Sequence, residues 1–209
     1  MERDLGIDGY LTTTRGVGGT LKASADDFIV EEVSSPPEAD PEGRYTVATL
    51  RVRDWETNRL VRQLAKGLHI SRRRIGFAGT KDKRAVTTQL FSFEGLSPDA
   101  VQALHLKDVE VLDAFLSART LEIGDLVGNR FRIVVRDLRV PDEEAIPIVN
   151  ETSDQLRRFR GFPNFFGIQR FGSVRPVTHL VGKHLVHGRF REAVETYVAN
   201  PIEGEDPES

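Results

Sequence analysis

A strand pattern followed at once by a helix pattern limits the folds open to this chain. Residues 45–53 alternate apolar and polar side chains, which is typical of a β-strand with one buried face. Residues 58–68 carry apolar side chains at helical spacing, and we expect Thr57 to cap that helix. Strands and helices follow one another elsewhere without a regular alternation. The sequence therefore predicts an α+β domain.

The other predicted elements rest on the same two patterns. Short runs rich in Val, Ile and Phe predict strands, and longer periodic runs predict helices, one of them perturbed by Pro147. The strands are expected at 28–33, 75–78, 87–93, 109–115 and 131–138, and the helices at 142–160, 176–187 and 190–199.

Composition excludes several classes of protein. The 209 residues are 39% hydrophobic and 29% charged, as in an ordinary globular protein. No run of about 18 apolar residues is present, so no membrane-spanning helix is predicted. The N-terminus shows no signal-peptide pattern, and the chain has no cysteine for a disulfide, a thiolate metal site or a nucleophile. We therefore expect a cytoplasmic protein.

Charge is strongly segregated along a chain whose net charge is only −3. Residues 51–91 hold eleven Lys or Arg against three acids, a net +8, and residues 155–191 hold eight Lys or Arg and no acid. The intervening and N-terminal segments are acidic. Two local basic stretches favour contact with nucleic acid. The alternative is that both are solvated helix faces, the commoner position for runs of charge.

The first motif with a chemical interpretation is 79–89, Gly-Thr-Lys-Asp-Lys-Arg-Ala-Val-Thr-Thr-Gln. It sets one carboxylate, Asp82, among Lys81, Lys83 and Arg84. Nearby cations favour the ionised form of a carboxylate, and they also attract phosphate. The motif could thus supply a nucleophile and a docking site for a polyanion. The alternative is a solvated turn between two strands, because Gly, Lys and Asp are ordinary turn residues.

A second motif, residues 162–172, combines four phenylalanines with an Asn, a Gln and an Arg. Aromatic rings can stack on the faces of an extruded base while an amide reads its hydrogen-bonding edge. The alternative is a turn in the core whose aromatics only fill space. A metal site is not predicted, since His179, His184 and His187 have no nearby acid or cysteine to complete one.

Three segments, taken together, resemble the TruD family of tRNA pseudouridine synthases. They run from Lys22 to Glu32, from Phe77 to Gln89 and from Pro163 to Gly172. Each segment is long and specific, and the residues that follow the third are similar to archaeal members. The resemblance extends from near residue 10 to the end of the chain.

The resemblance implies an enzyme that converts a uridine of tRNA, usually the one at position 13, to pseudouridine without cofactor or metal. Asp82 matches the family's essential aspartate, which acts covalently while the glycosidic bond breaks, the uracil turns and a carbon–carbon bond forms. Phe28 and Asn164 match positions that contact the target nucleotide. Further residues of the same motifs that we expect to bind the substrate or to support the site are Lys22, Gln89, Phe166 and Arg170.

The resemblance also implies a mixed, largely antiparallel sheet flanked by helices. Residues 1–172 would be the N-terminal part of this catalytic domain, and 173–209 the start of an inserted second domain. Family members return from that insertion to finish the first domain, so we expect this chain to be a fragment or a truncated gene product. The expected partner is tRNA, with no membrane and no metal, and the complete protein is expected to be a monomer. The alternative function is an RNA-binding fragment without activity.

Overall fold

The structure is a computed structural model that describes residues 9–164, 167–172 and 175–199. These residues form two compact units. The first spans Val17–Asp142 and contains the sheet, and the second contains the described residues of 1–16 and 143–209. The predicted domain boundary at residue 172 concerns a different division of the chain, and it stays a prediction.

The strands of the first unit are β1 (Thr20–Leu21), β2 (Phe28–Ser34), β3 (Tyr45–Arg53), β4 (Ile75–Phe77), β5 (Val86–Glu94), β6 (Val109–Ser117), β7 (Leu126–Ile133) and β8 (Val135–Arg136). Six of them form one sheet in the order β6-β3-β5-β2-β7, and β4 pairs with the C-terminal part of β5, whereas β2 pairs with its N-terminal part. Only β2 and β5 run parallel, and the other neighbours are antiparallel. A small antiparallel pair, β1 with β8, lies outside this sheet.

Helices α1 (Thr57–Gly67) and α2 (Pro98–Gln102) pack against one face of this sheet. Ala48, Leu50 and Val52 of β3 enter the same core as Leu60 and Leu64 of α1, and each of the five is at most 3% exposed. Burying a side chain of this size contributes roughly 1.5–3 kcal/mol. The alternation in β3 and the period in α1 therefore predicted the two sides of one core. The predicted α+β class, with a mixed, largely antiparallel sheet flanked by helices, is confirmed.

The cap of α1 differs from the prediction. The carboxylate of Glu56 accepts hydrogen bonds from the backbone N–H groups of Asn58 and Arg59, at 2.8 Å each. These two bonds hold the pKa of Glu56 below its ordinary value. Thr57 was expected to be the cap, which was wrong, because Thr57 is the first helical residue and is buried. Its hydroxyl bonds instead to the loop that carries Asp82.

The end of the sheet also differs from the prediction. A strand was expected at 131–138, whereas β7 begins five residues earlier, at Leu126, and pairs with the whole of β2. Residues 126–130 contain a glycine and do not alternate apolar and polar side chains, so the sequence did not indicate that their main chain pairs with β2. The short helix α2, with Ser97 as its cap and Pro98 in its first turn, was not predicted.

The second unit is helical in the part that the structure describes. It comprises α3 (Asp142–Arg158, which begins one residue earlier, in the first unit), α4 (Thr178–Val186) and α5 (Phe190–Val198). Helix α3 runs through Pro147, which lies in its second turn and removes a single main-chain hydrogen bond. The backbone N–H of Thr13 donates to Gln155 of this helix at 2.9 Å. Among the described residues, no helix is long and apolar enough to cross a bilayer.

Candidate active site around Asp82

The loop of residues 78–85 connects β4 to β5 and carries Asp82. Ala78 and Ala85, at its two ends, are each 1% exposed. The carbonyl of Ala78 accepts a hydrogen bond from the N–H of Gly124 at 2.8 Å, and the carbonyl of Ala85 accepts one from Asp54 at 3.0 Å. Both ends of the loop are therefore fixed to the surrounding structure. The predicted position of Asp82 between two strands is confirmed.

Lys81 anchors the middle of this loop to the sheet. Its backbone N–H donates to the hydroxyl of Thr57 at 2.9 Å, and its Nζ lies 2.6 Å from Oε2 of Glu32 on β2. The side chains of Lys81 and Glu32 are only 3% and 1% exposed. Lys81 was predicted to be one of the cations that attract phosphate, and this prediction was wrong. Its ammonium group is buried and neutralised, so it holds the loop in place.

Asp82, next along the chain, faces outward. Its side chain is 47% exposed, and its Oδ1 lies 2.7 Å from Nζ of Lys22, whose side chain is 29% exposed. Lys22 has a φ of 54°, in the left-handed region that glycine and asparagine favour. The contact with Lys22 orients the Asp82 carboxylate and leaves it open to a ligand.

Phe28 brings an aromatic ring to the same place. The ammonium group of Lys22 lies 3.9 Å from the centroid of this ring, so one lysine contacts both Asp82 and Phe28. The ring of Phe131, on β7, meets that of Phe28 edge to face, with centroids 5.9 Å apart and an interplanar angle of 65°. Phe131 is 52% exposed. Together the two rings offer an apolar, stackable surface within reach of the carboxylate.

Phe131 was not predicted as part of the site. The sequence placed it at the start of a strand, and nothing in its neighbourhood indicated a ring beside Phe28. The signal is tertiary: β7 pairs antiparallel with β2, which puts Phe131 opposite Val30 and diagonal to Phe28. Such diagonal neighbours lie within reach of an aromatic side chain.

A short 3₁₀ turn, Ala25–Asp27, fixes the start of β2 and hence the position of Phe28. The carboxylate of Asp27 is buried; it accepts hydrogen bonds from Nε of Arg136 and from the backbone N–H and hydroxyl of Ser24, all at 2.9 Å. The guanidinium of Arg136, helped by Ser24, holds the pKa of Asp27 well below its usual range.

Gln89 and Arg84 support the loop and the segment beside it. Gln89 was predicted to bind the substrate, but its side chain is buried and its Nε2 donates to the carbonyl of Gly79 at 3.4 Å. This geometry favours the second role expected for Gln89, since a buried amide that bonds the loop backbone supports the site. The guanidinium of Arg84 donates to the carbonyl of Ala23 at 2.9 Å, which ties the loop to the segment that carries Lys22.

The remaining predicted site residues belong to the second unit. Asn164 and Arg170 are both exposed there. Phe166 lies outside the described residues. The predicted place of these three beside the nucleotide at Asp82 stays a prediction. Across the described ranges, no group of three or more His, Asp or Glu side chains could hold a metal ion.

Comparisons with known proteins assign the chain to a family. The sequence model of TruD, tRNA pseudouridine synthase D, matches residues 4–209. A protein of Methanosarcina mazei described as "Probable tRNA pseudouridine synthase D" is 46% identical over 208 residues, and one of Archaeoglobus fulgidus with the same description is 43% identical over 208 residues. A crystal structure of a TruD protein from Methanosarcina mazei matches 99% of this chain with a TM-score of 0.86 and 46% identity. The chain belongs to the TruD family.

The chain spans about half the length of the curated relatives it matches. It covers 47% of the Methanosarcina mazei relative and 49% of the one from Archaeoglobus fulgidus, and 47% of the chain in the crystal structure. The predicted resemblance to TruD, including its archaeal character, is confirmed by these matches.

Proposed function

We propose that the complete protein containing this chain isomerises a uridine of tRNA to pseudouridine, with Asp82 as the nucleophile. The observation that carries the proposal is the arrangement of Asp82, Lys22 and Phe28. A carboxylate and an aromatic ring both lie in contact with one lysine side chain. Membership of the TruD family supports the choice of tRNA as the substrate.

The proposed reaction is an isomerisation. The bond between N1 of uracil and C1′ of ribose breaks, and a bond between C5 and C1′ forms. The proton on C5 leaves, and N1 ends with a proton, so the product is an isomer of the substrate and no oxidant or cofactor enters. A carboxylate can form a transient covalent adduct and depart again, which divides one difficult exchange into easier steps.

Each side chain of the site suits one part of this reaction. The ammonium group of Lys22 orients the Asp82 carboxylate through their 2.7 Å contact. Phe28, with the Phe131 ring beside it, offers an aromatic surface on which an extruded uracil can stack. Stacking of one base on an aromatic ring contributes roughly 1–3 kcal/mol. We propose that Asn164, Phe166 and Arg170 complete the contacts to the nucleotide.

The proposal extends to the setting of the reaction. We propose the uridine at position 13 as the target, the cytoplasm as the compartment and a monomer as the working form of the complete protein. We also propose that residues 173–209 begin an inserted domain.

The test is Asp82→Asn in the complete protein, assayed by tritium release from tRNA that carries uridine labelled at C5. We expect no release above background, because a neutral amide is a very poor nucleophile. Asp113→Asn is the matched control, since Asp113 is an exposed carboxylate on β6 and its loss changes the charge equally. The control should retain full activity.

Two results would count against the proposal. Tritium release by Asp82→Asn at the wild-type rate would contradict the role of the nucleophile. Salt-sensitive tRNA binding without any release by the wild-type protein would instead favour the RNA-binding alternative, and binding would then be unaffected by Asp82→Asn.

A further inference from the structure

An open groove lies between α1 and the 3₁₀ turn Arg72–Arg74. It is lined by Asn58, Val61, Arg62, Arg72 and Arg73 and has a volume of about 500 Å³. Val61, 7% exposed, belongs to its floor, whereas the three arginines are exposed. We call this feature the α1 groove. Three guanidinium groups and one amide make its lining cationic and rich in hydrogen-bond donors.

The arginines of the α1 groove are not neutralised by neighbouring acids. Within the described ranges, Arg62, Arg72 and Arg73 form no ion pair with a carboxylate, and α1 contains no acidic residue. Glu56 interacts electrostatically with Arg62, but its carboxylate is already engaged in capping α1. The groove therefore presents its positive charge to a ligand.

Other helices of the chain arrange their arginines differently. Arg157 on α3 pairs with Asp154 at 2.7 Å, and Arg191 on α5 pairs with Glu195 at 2.8 Å. An ordinary solvated helix face carries both signs in this way, with partners three or four residues apart. Helix α1 departs from that pattern, which argues against a merely solvating role for its cations.

The α1 groove begins close to the Asp82 loop. Thr57, the first residue of α1, accepts the hydrogen bond from the N–H of Lys81. Arg62 follows five residues later, which is about 7.5 Å along the helix axis. Stacked nucleotides advance by roughly 3.4 Å per strand. Arg62 therefore lies about two stacked nucleotides along α1 from the end of the helix that contacts the Asp82 loop.

We propose that the α1 groove binds the ribose-phosphate backbone of the RNA substrate, a few nucleotides from the one that reacts. The inference rests on the proposed function for the identity of the polyanion. Guanidinium groups bind phosphate through paired, charge-assisted hydrogen bonds, and two adjacent arginines facing a third suit consecutive phosphates. The groove contributes affinity and register, whereas Asp82 and its neighbours perform the chemistry.

The test compares two triple variants of the complete protein by measuring the Kd for tRNA against salt concentration. The first is Arg62→Gln, Arg72→Gln and Arg73→Gln. The second, matched in charge, is Arg51→Gln, Arg119→Gln and Arg130→Gln, whose arginines pair with Glu110, Asp125 and Glu31. We expect the first variant to reduce the slope of log K against log salt by about 2 to 3, because each lost phosphate contact contributes roughly 0.7–0.9.

The two variants should differ in their affinity for tRNA but not in their catalytic rate. At 0.15 M salt the groove variant should bind tRNA at least about tenfold more weakly, while the matched control should stay within about twofold. Tritium release at saturating tRNA should remain at the wild-type rate in both. The charge-retaining variant Arg62→Lys, Arg72→Lys and Arg73→Lys should recover most of the slope.

The outcomes distinguish this proposal from the proposed function. An unchanged slope and Kd in the groove variant, with active wild-type enzyme, would contradict RNA binding by the α1 groove and leave the proposed function intact. That result would point to an acidic protein as the ligand of the groove. A reduced slope with no tritium release from the wild type would support the groove as an RNA site and overturn the function. Equal losses of tRNA affinity in both triple variants would contradict specific RNA binding by the α1 groove, since the change in net charge alone would then explain the effect.

Discussion

Two neighbouring residues of one loop make two lysine–carboxylate pairs with opposite properties. Lys81 and Glu32 meet at 2.6 Å with side chains that are 3% and 1% exposed. Asp82 and Lys22 meet at 2.7 Å with side chains that are 47% and 29% exposed. The two distances are nearly equal, so the pairs differ in how deeply they are buried and not in how closely the charged groups approach. The buried pair can only hold the loop, whereas the exposed pair can exchange its partner for a substrate.

The comparison explains how a short loop can combine a fixed backbone with an accessible carboxylate. A buried ion pair costs desolvation but penalises any structure in which one partner is left alone. An exposed pair contributes little to folding, about 0–1 kcal/mol, and can therefore be broken during a reaction at small cost. Placing the two side by side lets Lys81 fix the backbone while Asp82 remains available.

The largest expected effect is on stability, from Glu32→Gln. The change leaves the Lys81 ammonium buried without its counter-charge, and it weakens the acceptor used by the hydroxyl of Ser34. We expect the free energy of unfolding of the complete protein to fall by about 3–5 kcal/mol, measured by urea titration. Catalytic activity should fall with it, because the Asp82 loop loses its anchor.

Glu31→Gln is the matched control for this change. Glu31 is the adjacent residue of β2, is 56% exposed and pairs with Arg130 at 3.8 Å. Its loss should change the free energy of unfolding by less than about 1 kcal/mol. If the two variants were equally stable, the buried pair would not be the anchor of the loop.

A smaller effect, on the rate alone, is expected from Lys22→Met. The change removes the cation that orients the Asp82 carboxylate and contacts the Phe28 ring. We expect the rate at saturating tRNA to fall at least about tenfold, equivalent to about 1.4 kcal/mol, with stability within about 1 kcal/mol of wild type. Lys22→Arg keeps the charge and should retain most of the rate. Full activity of Lys22→Met would show that the exposed pair has no catalytic part.

The last prediction concerns the pH dependence of stability and a third carboxylate, Asp27, which is buried like Glu32 but pairs with Arg136, whose side chain is 55% exposed. The Arg136 guanidinium lowers the pKa of Asp27, so this carboxylate stabilises the fold above the unfolded-state pKa of about 3.9. That contribution is lost as pH falls below about 4. Urea titrations from pH 7 to pH 3 should show a shallower decline below pH 4 in Asp27→Asn than in wild type. Parallel curves would contradict this role.

Much of the fold could be predicted from periodicity because the core is built from it. The alternation of 45–53 and the helical spacing of 58–68 predicted β3 and α1 to within one residue. Both elements bury one face in the same core, so apolar side chains recur along them at the period of the strand and of the helix. Strand β7 joins the sheet through its backbone, and its first five residues show no such periodic pattern.

The candidate site shows the same division. Asp82 could be predicted because its charged neighbours lie beside it in sequence. The pairings that give those charges their roles could not be derived from the neighbouring residues, since Lys22 and Glu32 lie 60 and 49 residues away from Asp82 and Lys81, and Lys22 was expected in the site only from the resemblance to the TruD family. The inward direction of Lys81 follows from the path of the loop over β2, which one sequence does not reveal.

The most direct test of the central claim measures tritium release and the free energy of unfolding together on Asp82→Asn of the complete protein. The account predicts that release is abolished while stability stays within about 1 kcal/mol of wild type. Product formation by this variant, or a loss of stability as large as that of Glu32→Gln, would contradict the claim that Asp82 serves chemistry and Lys81 serves the fold.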